Sequence, residues 1–130
     1  MADTPYIPGN ATKGTVGVAI PAKGALVAID TGKSNKMCPA ADTATHIVVG
    51  ISVKAGAVDA TNFVAQGGIY RFTNSTSSAL TAADVYKVCY VEDSTTVASA
   101  SSHSIIAGTV VDVDSNGVWV DVAKDYHTHS

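Results

Sequence analysis

Few residues in this chain have the type and spacing that chemistry requires. Asp112-Val-Asp114-Ser-Asn116-Gly117 reproduces the opening of a calcium loop, D-x-D-x-N-G. That loop ends on a bidentate Glu at its twelfth position and lies between two helices. Ala123 stands at that position, and alternating valines on either side point to strands. A hairpin turn accounts for the same residues. Four histidines, His46, His103, His127 and His129, raise the question of a metal, but neither Cys-x-x-Cys nor His-Glu-x-x-His accompanies them. No metal and no cofactor are expected.

Nucleophilic catalysis needs an activated Ser or Cys. Gly-x-Ser-x-Gly is absent, and Ser101-Ser102-His103-Ser104 reads as a polar loop with nothing to activate a hydroxyl. Cys89 sits at an alternating position within an apolar strand, as a small filler would. A single Glu (Glu92) and the lack of a Gly-rich phosphate loop leave phosphoryl transfer and paired-carboxylate hydrolysis without parts. An enzyme is not expected. Cys38 and Cys89 could pair, but the opening residues carry neither a basic nor an apolar export signal, so two buried thiols in a reducing compartment are expected instead.

The elements that must hold these residues follow from composition. At 130 residues the chain suits one domain with a core of its own. Valine (18) and isoleucine (8) far outnumber leucine (2), which favours pleated surfaces over helices. Charged residues are 15%, the net charge is -3 and Arg71 is the only arginine, so no basic stripe exists for nucleic acid. No segment approaches the roughly 20 apolar residues of a membrane-spanning helix.

Turn signals divide the chain into short β runs at Thr15–Ile20, Ala25–Asp30, Met37–Ala41, Ile47–Val53, Thr61–Gln66, Ile69–Thr73, Val85–Val91, Thr95–Ala98, Ile105–Val113 and Val118–Ala123. Ala79–Asp84 is the one place for a helical turn, and Gly67-Gly68 reads as a tight turn or bulge. The fold expected is all-β, a small barrel or sandwich of about eight to ten short strands. Residues 1–13, broken by Pro5, Pro8 and Gly9, form an extended N-terminal arm; 14–123 form the single domain and 124–130 a flexible tail. The arm is either a frayed terminus or a strap anchored by Tyr6 and Ile7.

The last hairpin shows period-two alternation, with Val111, Val113, Val118, Val120 and Val122 on one face. Trp119 then faces outward beside Asp112 and Asp121, as a contact residue would, unless the core is two-sided and Trp119 packs within it. Tyr70 and Phe72, two apart on a strand, share a face and belong either to an interface or to the core.

From about Gly24 to Val122 the order of features resembles the decoration, or cement, proteins of tailed-phage capsids. Lys23-Gly-Ala-Leu-Val-Ala-Ile-Asp30 is followed by Ile47-Val-Val-Gly-Ile51 and Gln66-Gly-Gly-Ile-Tyr-Arg-Phe72. Ala79-Leu-Thr-Ala-Ala-Asp-Val85 then leads to Val88-Cys-Tyr-Val-Glu-Asp93, Ala107-Gly-Thr-Val-Val-Asp-Val-Asp114 and Gly117-Val-Trp-Val-Asp-Val122. Cys89 replaces a valine common at that position in the family. The resemblance implies a β head on the outer surface of the mature capsid, made in the bacterial cytoplasm. It also implies the major capsid protein as partner and self-assembly, commonly as a trimer and in some members as a dimer. It carries no catalytic residue. Tyr6, Ile7 and Pro8 of the arm, with Trp119, Tyr70 and Phe72, are the interface residues expected. The alternative is another virion module: a head fibre, tail or receptor-binding domain.

Overall fold

Runs of Val, Ile and Thr between Gly, Asn, Asp and Ser turns give ten strands in the computed structural model, which describes residues 11–122. They are β1 (Ala11–Gly14), β2 (Leu26–Asp30), β3 (Lys36–Pro39), β4 (His46–Ser52), β5 (Phe63–Gln66), β6 (Gly68–Asn74), β7 (Val88–Asp93), β8 (Thr96–Ala98), β9 (Ile106–Asp114) and β10 (Gly117–Val122). Residues 11–13, assigned to the arm from sequence, thus belong to β1, which pairs with β5. The rest of the arm and the tail lie outside the described residues.

The two halves of the chain form two lobes. β1 to β5 make a sheet in the order β1-β5-β4-β2-β3, and β6 to β10 close into a barrel in the order β10-β6-β8-β7-β9. One barrel contact is parallel, Thr73 beside Thr96 and Asn74 beside Val97. The Gly67-Gly68 pair is therefore not a hairpin turn, because β5 and β6 do not pair; there the chain passes from sheet to barrel.

The sheet has a core on each face. Val27, Met37, Val49, Phe63 and Ala65 pack with Val16 and Ile20 on one side. Leu26, Ala28, Cys38, Val48 and Ile51 pack on the other against the barrel interior, including Phe72, Val91, Val110, Val118 and Val120. Neighbouring residues of β2 enter opposite cores, as a period of two requires. Both faces of the central strands are covered, so Ile47–Val53 reads as a nearly continuous apolar run. In β4 a bulge interrupts the alternation: Val27 pairs with Gly50 and Ala28 with Val48. This keeps Val48 and Ile51 on the same side. Gly50 lies at φ 154, and a Cβ there would stand 2.8 Å from Gln66 N, so the bulge and the approach of β5 both require glycine.

Three sequence expectations change in detail. Thr15–Ile20 is not a strand but makes isolated bridges at Val16 and Ile20. Its hydrogen bonds divide between β3, through Gly17 N to Met37 O at 2.7 Å, and the loop opposite, through Val16 N to Ala60 O at 2.9 Å. β7 begins at Val88 rather than Val85. The turn at Ala82–Asp84, where Thr81 N donates to Asp84 Oδ2 at 2.8 Å, runs on through Lys87 N to Asp84 O, and Tyr86 takes φ 71. Val111 is the bulged residue of β9: the partners of Trp119 and Val120 are Asp112 and Val110, so Val110 is buried and Val111 turns outward. The hairpin itself forms as expected. Asn116 N donates to Asp114 Oδ1 at 2.7 Å, and the positive φ falls on Gly117, not Asn116.

Leu26 is fully buried where sheet meets barrel. Leu26→Ala is expected to destabilise the chain by about 2–5 kcal/mol in urea unfolding followed by Trp119 fluorescence. A loss below about 1 kcal/mol would mean that the sheet does not pack on the barrel in this way.

Candidate functional site

The hairpin register brings together three residues spaced eight apart. Asp30 ends β2, Cys38 lies in β3 and His46 begins β4; Ala28 pairs with Cys38 and Asp30 with His46. His46 Nε2 stands 3.5 Å from Asp30 Oδ2 and 3.5 Å from Cys38 Sγ. Beside them opens a hollow of about 350 Å³ lined by Val18, Asp30, Lys33, Lys36, Met37 and Cys38, among others. A Cys–His–Asp group beside a hollow is the constellation most suggestive of catalysis or metal binding here.

Its hydrogen bonds oppose both roles. Ala41 N donates to His46 Nδ1 at 3.1 Å, so Nδ1 keeps its lone pair and the neutral ring carries its proton on Nε2. That proton points towards Asp30 and Cys38, and a nitrogen that holds a proton cannot take the thiol's. In a nucleophilic triad the carboxylate holds the other ring nitrogen. A metal on Nε2 would likewise need Nδ1 to donate, and the Ala41 amide faces it. Burial and the Asp30 charge push the Cys38 thiol up to about 11. A thiol in that range is not a nucleophile at neutral pH. The Asp30 carboxyl lies below its ordinary value because the Thr45 side chain and Gly32 N donate to it, with burial opposing them. The cluster fastens the ends of β2, β3 and β4.

A second cluster joins the lobes. Asp42, in the β3–β4 loop, accepts from Ser102 N at 3.0 Å and His103 N at 3.1 Å, with His103 Nδ1 at 3.2 Å. Burial raises the Asp42 carboxyl, but these donors outweigh it and hold it below its usual value. Asp42 borders a polar hollow of about 400 Å³ that also includes Glu92, Ser77, Ser78 and Ser101. Glu92 is engaged there by Ser75 Oγ at 2.5 Å. Cys89 is fully buried in β7, where burial drives its thiol up to about 12. Both cysteines are unpaired.

The residues expected at an interface are divided. Tyr6, Ile7 and Pro8 lie outside the described residues. Trp119 is half-buried on the outer side of the barrel, while its neighbours Val118 and Val120 fill the core. Its Nε1 donates to Asp114 Oδ2 at 3.3 Å and the Arg71 guanidinium lies 5.8 Å from its ring centroid. Phe72 is 4% exposed in the barrel core. Opposite Val118 in the register, it has no surface for a partner, so its expected interface role is withdrawn. Tyr70 points the same way, half-buried, its hydroxyl donating to Gly67 O at 3.4 Å. Sequence reasoning missed Tyr86, which is 84% exposed, because alternation placed it inside a strand. No family model, no curated protein and no solved structure matches the chain.

Two solution experiments test these assignments. Neither thiol should react with a disulfide reagent at pH 8 until denaturant is added; rapid native labelling of Cys38 would contradict its assigned environment. Asp30, Asp42 and Asp114 all lie below the ordinary carboxyl value. They therefore contribute stability above about pH 4 and lose it as pH falls through their lower folded values. Asp42→Ala should lower the melting temperature at pH 7 and flatten the acid limb of the stability curve. An unchanged limb would remove Asp42 from the lobe contact.

Proposed function

We propose that this chain is a structural protein of a tailed-phage virion that binds the outside of the mature capsid and stabilises it by bridging capsomers. What supports this reading is the ordered series of segments in which the sequence resembles capsid decoration proteins, most of which fall on strands. Lys23–Asp30 contains β2, Ile47–Ile51 lies within β4, Gln66–Phe72 enters β6, and the later segments match β7, β9 and β10. The likeness thus lies in the framework of the fold. A second support is the use of the polar clusters, whose donors and acceptors tie loops together. What remains for a partner is surface.

The physical task of such a protein is to add contacts between neighbouring capsomers. Each contact can be weak, because many copies on one shell act together. The major capsid protein is the partner in this reading. The arm enters at β1, which is an edge of the sheet. In this reading Tyr6, Ile7 and Pro8 of the arm are the anchors. An extended segment of this kind can add a strand to an exposed sheet edge.

The test is co-sedimentation with DNA-free heads of the phage that encodes the chain. Saturable binding to expanded heads and little to unexpanded ones is expected. Binding to neither, or equally to both, would overturn the reading. Deleting residues 2–10, which leaves β1 whole, should weaken binding at least tenfold without lowering the melting temperature. Undiminished affinity would remove the arm from the contact.

A further inference from the structure

Tyr86 lies between the turn at Ala82–Asp84 and β7, and it is 84% exposed, more than any other large apolar side chain among the described residues. Its φ of 71 is one that a non-glycine residue adopts at a cost. The surrounding backbone holds it there. Tyr86 N donates to Val110 O at 2.7 Å, Val110 N donates to Lys87 O at 2.9 Å, and Lys87 N donates to Asp84 O at 2.9 Å. Two of these bonds tie the segment to β9. Strain held in place at a side chain with so little covered is a mark of a functional position.

The residues beside Tyr86 continue the same surface. Lys87 and Val88 follow it, both exposed. Exposed Ile106 stands next to them on the outer side of β9, where Val88 pairs with Thr109 and Tyr90 with Ile106. Lys87 makes no salt bridge among the described residues. Asp84, the nearest carboxylate in sequence, is turned to Thr81, whose N and Oγ1 donate to its Oδ2 at 2.8 and 3.4 Å. Asp121, on the outer wall of β10, is separated from Val88 by Thr109, which pairs with both. This corner of the barrel therefore presents an aromatic ring, two branched apolar side chains and an unpaired cation. Its complement is an apolar cleft with a carboxylate at the rim.

A bridge between capsomers needs a contact on each. The arm offers one from β1, at the edge of the sheet, whereas Tyr86 projects from the barrel, built from the other half of the chain. We propose that Tyr86, with Lys87, Val88 and Ile106, forms a second capsid contact, a rigid knob that seats in an acid-rimmed apolar cleft on the outer surface of the major capsid protein. The knob rests on the capsid reading and adds to it the barrel-side contact and the chemistry of the surface it meets. Its backbone is already fixed in the free chain, so seating it costs little ordering. A tyrosine in such a pocket carries a large share of the binding energy.

The experiment measures the affinity of the full chain for expanded, DNA-free heads by co-sedimentation at low and high salt. Tyr86→Gly removes the ring and suits the positive φ, so the variant should melt close to wild type and bind at least tenfold more weakly. Lys87→Glu keeps the ring but sets a carboxylate against the acidic rim. It should also weaken binding at least tenfold, and raising salt should narrow its deficit. Combining Tyr86→Gly with deletion of residues 2–10 should leave no measurable binding. A wild-type chain that ignores expanded heads would overturn the capsid reading and the knob together. If wild type binds and Tyr86→Gly or Lys87→Glu binds as tightly, the knob alone is overturned and the capsid reading stands.

Discussion

Strands β2 and β4 have no face left for water along most of their length, because a separate apolar core lies on each side. Leu26, Ala28, Val48 and Ile51 belong to the core shared with the barrel, and Val27 and Val49 to the core beneath Val16 and Phe63. Much else follows from that arrangement. Side chains of β2 must be apolar at consecutive positions rather than alternate ones. Two helices or two isolated hairpins could not substitute, since neither gives one thin layer that fills two cores. The bulge at Gly50 becomes necessary, because it adjusts which side each residue of β4 enters. Sheet and barrel are also linked through the backbone, Leu26 N donating to Ser94 O at 2.7 Å.

A molecule built in this way has little interior room for polar chemistry, and its polar side chains collect at strand ends. Asp30 and His46 fasten one end of the sheet. Asp42 reaches the Ser102–His103 amides across the lobe boundary. Asn74 brackets Leu80, donating from Nδ2 to its carbonyl at 2.9 Å and accepting its amide on Oδ1 at 2.8 Å. His46 and His103, the two described histidines that raise a metal or catalytic reading in the sequence, are both held in these contacts. The geometry that would make His46 a base or a metal ligand is forbidden by a single amide, that of Ala41. The outward-facing charges differ in sign between the lobes, net +2 over residues 11–66 and net -4 over residues 67–122.

Some of this was legible from residue types alone. The excess of Val and Ile over Leu, the turn residues and the Val-rich final hairpin lead to an all-β chain, and most strands lie within a few residues of their expected places. Bulges were not legible. Val111 and Val110 are the same residue type, and only the register across β10 decides which one is buried. Gly67-Gly68 carries the signature of a turn, yet the partners of β5 and β6 lie far away in sequence. The candidate cluster depended on the same long-range information: Asp30, Cys38 and His46 meet only because three strands pair in one register. Phe72 and Trp119 were not separated by the local pattern either. Each was expected at an interface with the core as the other reading, and only long-range packing divides them: Trp119 is half-buried on the outer side of the barrel and Phe72 lies in its core. Tyr86 gave no signal, since a strand pattern ran through it and its positive φ arises from the turn that precedes it.

The central physical claim is that one sheet serves two cores, so neither lobe can lose its structure alone. Scanning calorimetry of the whole chain tests this most directly. The account predicts one transition whose calorimetric and van't Hoff enthalpies agree, as expected for a single cooperative unit. Two resolved transitions, or a calorimetric enthalpy well above the van't Hoff value, would mean that sheet lobe and barrel unfold separately and that the shared core does not couple them.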